Sequence, residues 1–456
     1  MRIPALLRLP TLAAAALAGI LAGPVGPPAA AGQASGIGAE RPAPASSSPR
    51  ARRASADVDE AWDRLETWLR GRLENEGIVG GSVYLVRGGE VLGRLHHGIA
   101  DIASRRRVDE GTIFHWASIT KTFTAVAFMQ LRERGLVALD DPAVDRVPEL
   151  RGVHNPFGSM EAITYRHLLS HSAGFRAATW PWGGDEPWHP HEPSRWEQLV
   201  AMMPYTEIRF QPGSRYSYSN PGIIFVGKTI EGVAGEPYQA YVQKNLFSPL
   251  GMESAYFDRT PYHLLEHRSN NYVVENGVPR PNGLDFDTGI TVSNGGLNAS
   301  VPDMVRWLSF LTGRAAAPPT VAPETGDNGG ASSGTNGGTR ESAAHGASRG
   351  PDAVLSPSTL REMFEPVVPV NRAEGSKEWM GLGFFVYERA GRRYIGHTGS
   401  QKAFRSFFYI DPETGAGAVG VFNTVAGEGS FRPDTDELRV ELREKLLDEI
   451  FPLFVK

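Results

Sequence analysis

The sequence predicts a two-lobed α/β + α protein. One lobe is built around an antiparallel sheet from both chain ends, and the other is mostly helical. Strand-like runs occur early, at 82–86 and 91–97, and return only after residue 384. Amphipathic helical patterns lie outside both groups of strands, and helical patterns and loops fill the middle of the chain. A cleft between the two lobes is therefore the expected place for a binding site.

The first predicted elements are a helix and a hairpin. The Gly88-Gly89 pair between the two early strand-like runs is a turn signal typical of a hairpin. Before it, apolar residues recur at helical spacing: Val58, Trp62, Leu65, Leu69 and Leu73.

Late in the chain the sequence predicts four more strands and a final helix. The strand-like runs are 384–387, 393–396, 404–410 and 418–422, and the helix runs from about 435 to 450. Because strand signals come from both ends while the middle is helical, we expect one sheet assembled from the two termini and flanked by helices.

Residues 1–31 have the anatomy of a secretory signal peptide. Arg2 and Arg8 supply positive charge, 9–21 is an apolar core, and Ala29-Ala30-Ala31 offers a small-residue cleavage site. The apolar core is shorter than the roughly 20 residues of a spanning helix, which favours cleavage over retention as an anchor. We expect a secreted, periplasmic or cell-envelope protein without a stable membrane span after cleavage.

Two further segments lack the apolar residues that a folded core needs. Residues 32–56 predict a disordered linker, which leaves 57–456 as the folded domain, and 314–353 predict a disordered low-complexity insertion. The insertion contains G-x-S-x-G at 330–334 and at 346–350. Because a nucleophile elbow needs a strand before it and a helix after it, we expect neither serine to be a nucleophile.

Composition excludes several classes of protein and site. The net charge is -5 with both signs mixed, whereas nucleic-acid-binding proteins normally carry a basic excess. Cysteine is absent, which excludes disulfides, thiolate metal sites and cysteine nucleophiles. His189 and His191 flank a proline, which prevents the i, i+4 placement of zinc-binding helices. We therefore expect no nucleic acid partner and no metal.

The motif that carries chemistry is Ser118-Ile119-Thr120-Lys121. A serine hydroxyl is a poor nucleophile unless a base lies within hydrogen-bond reach. Residues three apart share a helix face, so this spacing places the Lys121 amine beside the Ser118 hydroxyl. The apolar residues of 125–131 and Gly135 predict that a helix follows. On the tetrapeptide alone, a capping serine with a solvated lysine is the favoured interpretation.

Further motifs accompany this tetrapeptide in a fixed order. They are Gly98-Ile99-Ala100-Asp101, Thr112-Ile113-Phe114, Leu139-Asp140-Asp141-Pro142, Arg166 to Gly174, Pro212-Gly213, Tyr218-Ser219-Asn220-Pro221-Gly222, Gly295-Gly296-Leu297 and Gly396-His397-Thr398-Gly399. The series resembles the class C serine β-lactamases and D-alanyl-D-alanine carboxypeptidases, a penicillin-binding family that also includes esterases and D-aminopeptidases. The resemblance covers about 58–451, apart from the insertion. It implies a β-lactamase/transpeptidase-like fold and no cofactor.

The resemblance implies three catalytic residues. Ser118 matches the acylated nucleophile. Lys121 matches the amine that keeps neighbouring protons mobile and depresses their pKa values by its charge. Tyr218 matches the general base, a tyrosine expected to approach its anionic form.

The resemblance also implies substrate-binding residues. Asn220 matches the residue that hydrogen-bonds the substrate amide carbonyl, and His397-Thr398-Gly399 matches a motif on a strand edge in the cleft. We expect the backbone N–H of Ser400 to form an oxyanion hole together with the N–H of Ser118. His171 falls in the helix-loop signature and is expected to be structural.

These motifs predict a serine hydrolase acting on a small-molecule or short-peptide substrate. His397 stands where typical β-lactamases of the family carry lysine. A histidine with an ordinary pKa near 6.5 is charged only part of the time at neutral pH, so attraction of a substrate carboxylate should weaken as pH rises. This favours a D-alanyl peptide carboxypeptidase or small-ester hydrolase. A β-lactamase is the alternative, and a non-hydrolytic penicillin-binding sensor or scaffold is the alternative from another class. The oligomeric state is left open.

Overall fold

The computed structural model describes residues 49–175, 193–283, 288–313, 354–371, 377–428 and 430–455. The predicted signal peptide, most of the predicted linker, the predicted insertion 314–353 and the histidines at 189 and 191 lie outside these residues. Within the described ranges, no helix combines the length and the apolar character that crossing a bilayer requires.

The α-helices are distributed along the whole described chain. They are α1 (Pro49–Glu76), α2 (Thr120–Glu133), α3 (Tyr165–Leu169), α4 (Trp196–Met202), α5 (Asn220–Ala234), α6 (Tyr238–Val242), α7 (Ser248–Leu250), α8 (Val292–Gly295), α9 (Val301–Leu311), α10 (Pro357–Met363) and α11 (Thr435–Lys445).

Most strands lie near the two ends of the described chain, and four short ones, β5 to β8, lie in the middle, where the sequence predicted only helices and loops. They are β1 (Gly80–Arg87), β2 (Glu90–Asp101), β3 (Arg106–Arg107), β4 (Ile113–His115), β5 (Tyr256–Phe257), β6 (Tyr272–Glu275), β7 (Val278–Pro281), β8 (Leu297–Ser300), β9 (Val368–Pro369), β10 (Glu378–Met380), β11 (Phe385–Arg389), β12 (Arg392–Gln401), β13 (Phe404–Asp411), β14 (Ala416–Phe422) and β15 (Thr424–Ala426).

The main sheet joins both ends of the described chain. Its order is β3-β2-β1-β14-β13-β12-β11-β10-β9, and neighbouring strands are antiparallel. The junction is the β1–β14 pair, which runs from Gly81 opposite Phe422 to Arg87 opposite Ala416. The prediction of one sheet built from both ends of the chain is therefore confirmed. Each predicted strand overlaps an observed one.

Both faces of this sheet are buried, because its strands separate two apolar clusters. Along β13, Phe408 and Ile410 point into the cluster shared with the helical lobe, whereas Phe407 and Tyr409 point into the cluster under α1 and α11. Successive side chains of a strand point to opposite faces, so adjacent aromatic residues serve different cores. Each fully buried side chain of this size contributes about 1.5–3 kcal/mol relative to exposure.

Helix α1 begins inside the segment predicted as a linker. The helix starts at Pro49, eight residues before the predicted start of the folded domain at 57. The predicted linker boundary is therefore wrong for 49–56. The physical reason is intrinsic propensity, since residues 50–56 are mostly Ala and Arg, which are strong helix formers, and proline suits a first helical position.

Helix α2 runs through the centre of the helical lobe. All of its residues from Thr120 to Leu131 are buried, and Phe123 stacks on Trp307 with ring centroids 3.7 Å apart. A helix that is buried all round is held by packing on every side. Residues just before α2 are therefore fixed relative to the sheet.

Candidate active site

Ser118 lies on a short 3₁₀ turn, Ala117–Ile119, that leads directly into α2. Residues 112–131 are buried except Ser118, which is partly exposed. Ala117 has φ +50°, a left-handed conformation that is uncommon outside glycine and that often accompanies functional sites. This turn directs the serine side chain out of an otherwise buried segment.

The Lys121 amine contacts the serine, as the spacing predicts. Its Nζ donates to Ser118 Oγ at 3.0 Å and to the Asn294 carbonyl at 2.8 Å. The side chain is fully buried, and burial lowers the pKa of Lys121 well below its usual value. A neutral amine has a lone pair, so Lys121 can accept the serine proton.

Tyr218 lies beside both Ser118 and Lys121. Its hydroxyl hydrogen-bonds Ser118, and its ring centroid is 4.9 Å from Lys121 Nζ. Burial raises the pKa of Tyr218 above its usual value, with the Ser118 hydrogen bond acting in the opposite direction. Tyr218 is therefore protonated at rest, in contrast to the expectation that it approaches its anionic form. The physical reason is the cost of burying a phenolate.

The loop that carries Tyr218 is fixed by the start of α5. Ser219 caps this helix by accepting from the Gly222 N–H at 3.1 Å, and Asn220 is the first helical residue. The buried His171 ring accepts from the Ser219 N–H at 3.1 Å, and its centroid is 4.4 Å from the Tyr218 ring. His171 is therefore a direct support of Tyr218, and Asn220 lies beside the same loop.

The motif at 397–400 lies on an open strand edge next to the serine turn. The pairing of β11 with β12 ends at Phe385 opposite Gly396, and β12 then continues along β13 alone. A Cβ at Gly399 would overlap the Trp116 carbonyl oxygen and lie 3.2 Å from the Cβ of Ala117. The strand therefore touches the backbone just before Ser118, and this approach requires glycine.

His397 is buried and is held as one neutral tautomer. Its Nδ1 donates to the Thr398 carbonyl at 2.7 Å, so Nε2 carries the lone pair. This Nε2 is buried without a hydrogen-bond partner among the described residues. Burial, followed by the charge of Lys121, lowers the pKa of His397 to about 3. The expectation that His397 is partly cationic at neutral pH is wrong, because the ring has lost its solvent.

Two aromatic side chains complete one side of the site. The Phe385 ring centroid is 5.2 Å from that of His397, and the Tyr216 ring centroid is 6.3 Å from that of Phe385. Neither residue was predicted as part of the site. Phe385 lies in a strand pattern, where an aromatic residue indicates core packing. The Tyr-x-Tyr spacing of residues 216 and 218 could have indicated that Tyr216 lies near the site.

The site contains nucleophile, base and hydrogen-bonding groups but no metal-binding set. Within the described ranges, no three His, Cys, Asp or Glu side chains converge in a way that would hold a metal ion. The chemistry available to Ser118, Lys121 and Tyr218 is proton transfer coupled to nucleophilic attack.

Known proteins resemble this chain in both sequence and fold. The sequence model of the family described as Beta-lactamase matches residues 65–442. Protein flp of Staphylococcus aureus strain MW2 is 24% identical over 253 residues, 56% of this chain and 49% of flp. The chain thus spans about half the length of flp. Esterase EstB of Burkholderia gladioli is 28% identical over 298 residues, 59% of this chain and 74% of EstB.

A solved structure shows the same architecture. The octameric penicillin-binding protein homologue from Pyrococcus abyssi has a TM-score of 0.64 and 26% identity, and the match covers 84% of this chain and 77% of that chain. The predicted β-lactamase/transpeptidase-like fold is confirmed. Because the family match extends over more than half of the sequence, this chain belongs to the β-lactamase family of serine hydrolases.

Proposed function

We propose that this chain forms an acyl-enzyme on Ser118 and that its preferred substrates are small, uncharged esters. The reaction type follows from the contacts of the Ser118 hydroxyl with the Lys121 amine at 3.0 Å and with the Tyr218 hydroxyl. The observation that carries the substrate class is the burial of the His397 imidazole, which lowers its pKa to about 3.

Acylation uses the serine proton and two neighbouring groups. The neutral Lys121 amine accepts the Ser118 proton, directly or through the Tyr218 hydroxyl, while Oγ attacks the ester carbonyl carbon. The negative charge that develops on the carbonyl oxygen faces the N–H groups of Ser118 and Ser400. When the carbon–oxygen bond to the alcohol breaks, Tyr218 gives its proton to the leaving oxygen and regains one from Lys121.

Deacylation repeats these transfers with water as the nucleophile. Water gives a proton to the same Lys121–Tyr218 pair and attacks the acyl carbon, and the acid leaves as Ser118 regains its proton. Burial lowers the Lys121 pKa and raises the Tyr218 pKa, which favours the neutral amine and the neutral phenol. Groups whose pKa values are moved apart by their environment can serve as an acid and a base in one cycle.

The substrate class follows from charge at the open edge of β12. A neutral His397 offers an acceptor nitrogen but no positive charge, so it gives a substrate carboxylate no ionic attraction. Phe385 and Tyr216 add an apolar wall beside it. This environment suits an ester with an uncharged alcohol, and the name of the relative EstB supports the same class. A D-alanyl peptide carries a carboxylate and is the second candidate.

The test compares three substrates on one protein. We expect a short-chain nitrophenyl ester to be turned over with higher kcat/KM than a D-Ala-D-Ala peptide or a chromogenic cephalosporin. Ser118→Ala should abolish turnover, and Ser332→Ala, in a G-x-S-x-G pattern of the low-complexity segment, is the matched control that should retain it. Full activity in Ser118→Ala would refute the nucleophile.

The rival functions are distinct outcomes of the same experiment. Multiple-turnover hydrolysis of the cephalosporin that outpaces the ester would identify a β-lactamase. Labelling of Ser118 by a fluorescent penicillin, without release and without turnover of any of the three substrates, would identify a sensor.

We also propose that the protein works outside the cytoplasm. The support is the signal-peptide anatomy of residues 1–31. Expression of the full chain should give a mature protein in the periplasm or medium whose N-terminus lies near Gly32. An unprocessed protein that stays in the cytoplasm would refute this.

A further inference from the structure

Arg439 of α11 reaches from the far end of the sequence to the strand edge beside Ser118. Its Nη1 donates to the Gly399 carbonyl at 3.0 Å, and it also lies 3.2 Å from Ser400 Oγ and 3.3 Å from the Ser406 carbonyl. The side chain is only 13% exposed. A buried arginine that donates to two backbone carbonyls, those of Gly399 and Ser406, holds their peptide groups in place.

The guanidinium is itself fixed by a neighbouring carboxylate. Arg439 Nη2 pairs with Asp436 at 2.8 Å, one turn earlier on α11, and Arg405 Nε pairs with the same carboxylate at 2.9 Å. Burial lowers the pKa of Arg439, yet an arginine stays charged in proteins. The Gly399 carbonyl therefore accepts a charge-assisted hydrogen bond, which is stronger than a neutral one.

The bonded carbonyl belongs to the peptide that carries the Ser400 N–H. A peptide group is planar, so fixing the Gly399 oxygen also fixes the direction of the N–H on the opposite side of the bond. A charged donor on the oxygen polarises the peptide and strengthens the N–H as a donor. Gly399 also lies so close to the Trp116 carbonyl oxygen and the Ala117 side chain that an added Cβ would meet both. The peptide is thus held between the nucleophile turn and the guanidinium.

We propose that Arg439 is a positioning residue for the oxyanion hole, acting through the Gly399–Ser400 peptide. This inference rests on the proposed acyl-enzyme chemistry at Ser118. Arg439 does not touch the substrate in this role. It sets the direction and strength of one hydrogen-bond donor, so its effect falls on the tetrahedral oxyanion and not on the bound substrate.

The experiment compares a transition-state analogue with its matching substrate. Propylboronic acid forms a tetrahedral adduct with a nucleophilic serine and matches the acyl part of nitrophenyl butyrate. Direct loss of an oxyanion-hole donor costs about 10²–10³ in kcat, and an effect transmitted through a peptide should be smaller. We expect Arg439→Met to weaken boronate binding and lower kcat by roughly 10- to 100-fold, with KM changed less than about threefold.

Arg405→Met is the matched control. It removes an arginine of similar burial that pairs with the same Asp436, but it leaves the Gly399 carbonyl bonded. We expect boronate affinity and kcat within about twofold of the parent. Thermal unfolding of each variant verifies folding. If Arg439→Met does not fold, Arg439→Gln, which removes the charge but keeps a polar side chain, provides the same comparison.

The outcomes separate this inference from the proposed function. If the parent protein binds no boronate and turns over no ester, the acyl-enzyme proposal itself fails. If the parent binds boronate and the Arg439 variant keeps the parent ratio of boronate affinity to KM, the positioning role is refuted. Equal losses in Arg439→Met and Arg405→Met would also refute it, because they would indicate a general effect of the Asp436 ion pairs.

Discussion

Replacing His397 by asparagine should make the protein more resistant to mild acid. Asn keeps an N–H that can reach the Thr398 carbonyl, but it cannot titrate. In the folded protein, burial holds the pKa of His397 at about 3, whereas an unfolded chain has a histidine pKa near 6.5. Above pH 6.5 the ring is neutral in both the folded and the unfolded protein, so it adds no pH dependence to the stability there.

Below pH 6.5 the unfolded chain binds a proton that the folded site rejects. His397 therefore leaves the free energy of unfolding unchanged above pH 6.5 and lowers it progressively as the pH falls toward 3. Each pH unit in this window costs about 1.36 kcal/mol. At pH 5 the loss is about 2 kcal/mol, and near pH 3 it reaches about 5 kcal/mol. The His397→Asn variant does not lose this stability, because asparagine does not titrate.

The assay is denaturant unfolding of both proteins at several pH values between 8 and 4.5. The difference in unfolding free energy, variant minus parent, should be constant from pH 8 to about 6.5 and then rise by about 2 kcal/mol by pH 5. An exposed histidine, His263, replaced in the same way, gives the baseline for losing one histidine. If the two curves stay parallel down to pH 5, His397 is not a buried neutral ring and the argument for uncharged esters loses its support.

Three further changes test other parts of the site. Tyr218→Phe should slow acylation by roughly 10²–10⁴-fold, the range for a general acid–base group, as measured by single-turnover ester kinetics; an unchanged rate would assign proton transfer to Lys121 alone. Gly399→Ala should lower ester kcat/KM by roughly 10²-fold, because the new methyl overlaps the Trp116 carbonyl and displaces the Ser400 N–H, and overpacking should cost about 1–3 kcal/mol of stability. Gly232→Ala on α5, where an added Cβ meets nothing within 4 Å, is its control and should keep parent activity. Deletion of 315–349 should leave melting temperature and ester turnover nearly unchanged, since that sequence lacks apolar residues for a core; a large loss of turnover would contradict this.

Local patterns in the sequence were sufficient for much of the fold. The i, i+3 spacing of Ser118 and Lys121 predicts a contact that depends only on helix geometry, and the structure has it at 3.0 Å. Alternating and aromatic-rich runs predict β13 and β14 because strand periodicity is also local. The start of α1 was missed because composition rich in Ala and Arg suits a linker and a helix equally.

The remaining features depend on tertiary structure. The charge of His397 is set by burial, and no pattern around residue 397 indicates how much solvent reaches the ring. Arg439 lies 40 residues after Gly399 on a helix whose charged face resembles an ordinary solvated one. Phe385 gave a strand signal, and its position beside His397 follows only from the pairing of β11 with β12.

The pairing of β1 with β14 also determines when the site can exist during folding. The serine turn and α2 are synthesised early. The strand edge at 397–400 follows Ser118 by about 280 residues and Arg439 follows it by about 320 residues. Contacts between such distant segments close long loops, which slows folding. A chain that emerges N-terminus first exposes Ser118 long before the opposite edge of its cleft has been synthesised. We therefore expect no acyl transfer on a partial chain, because the strand edge at 397–400 is absent until the last strands add to the sheet.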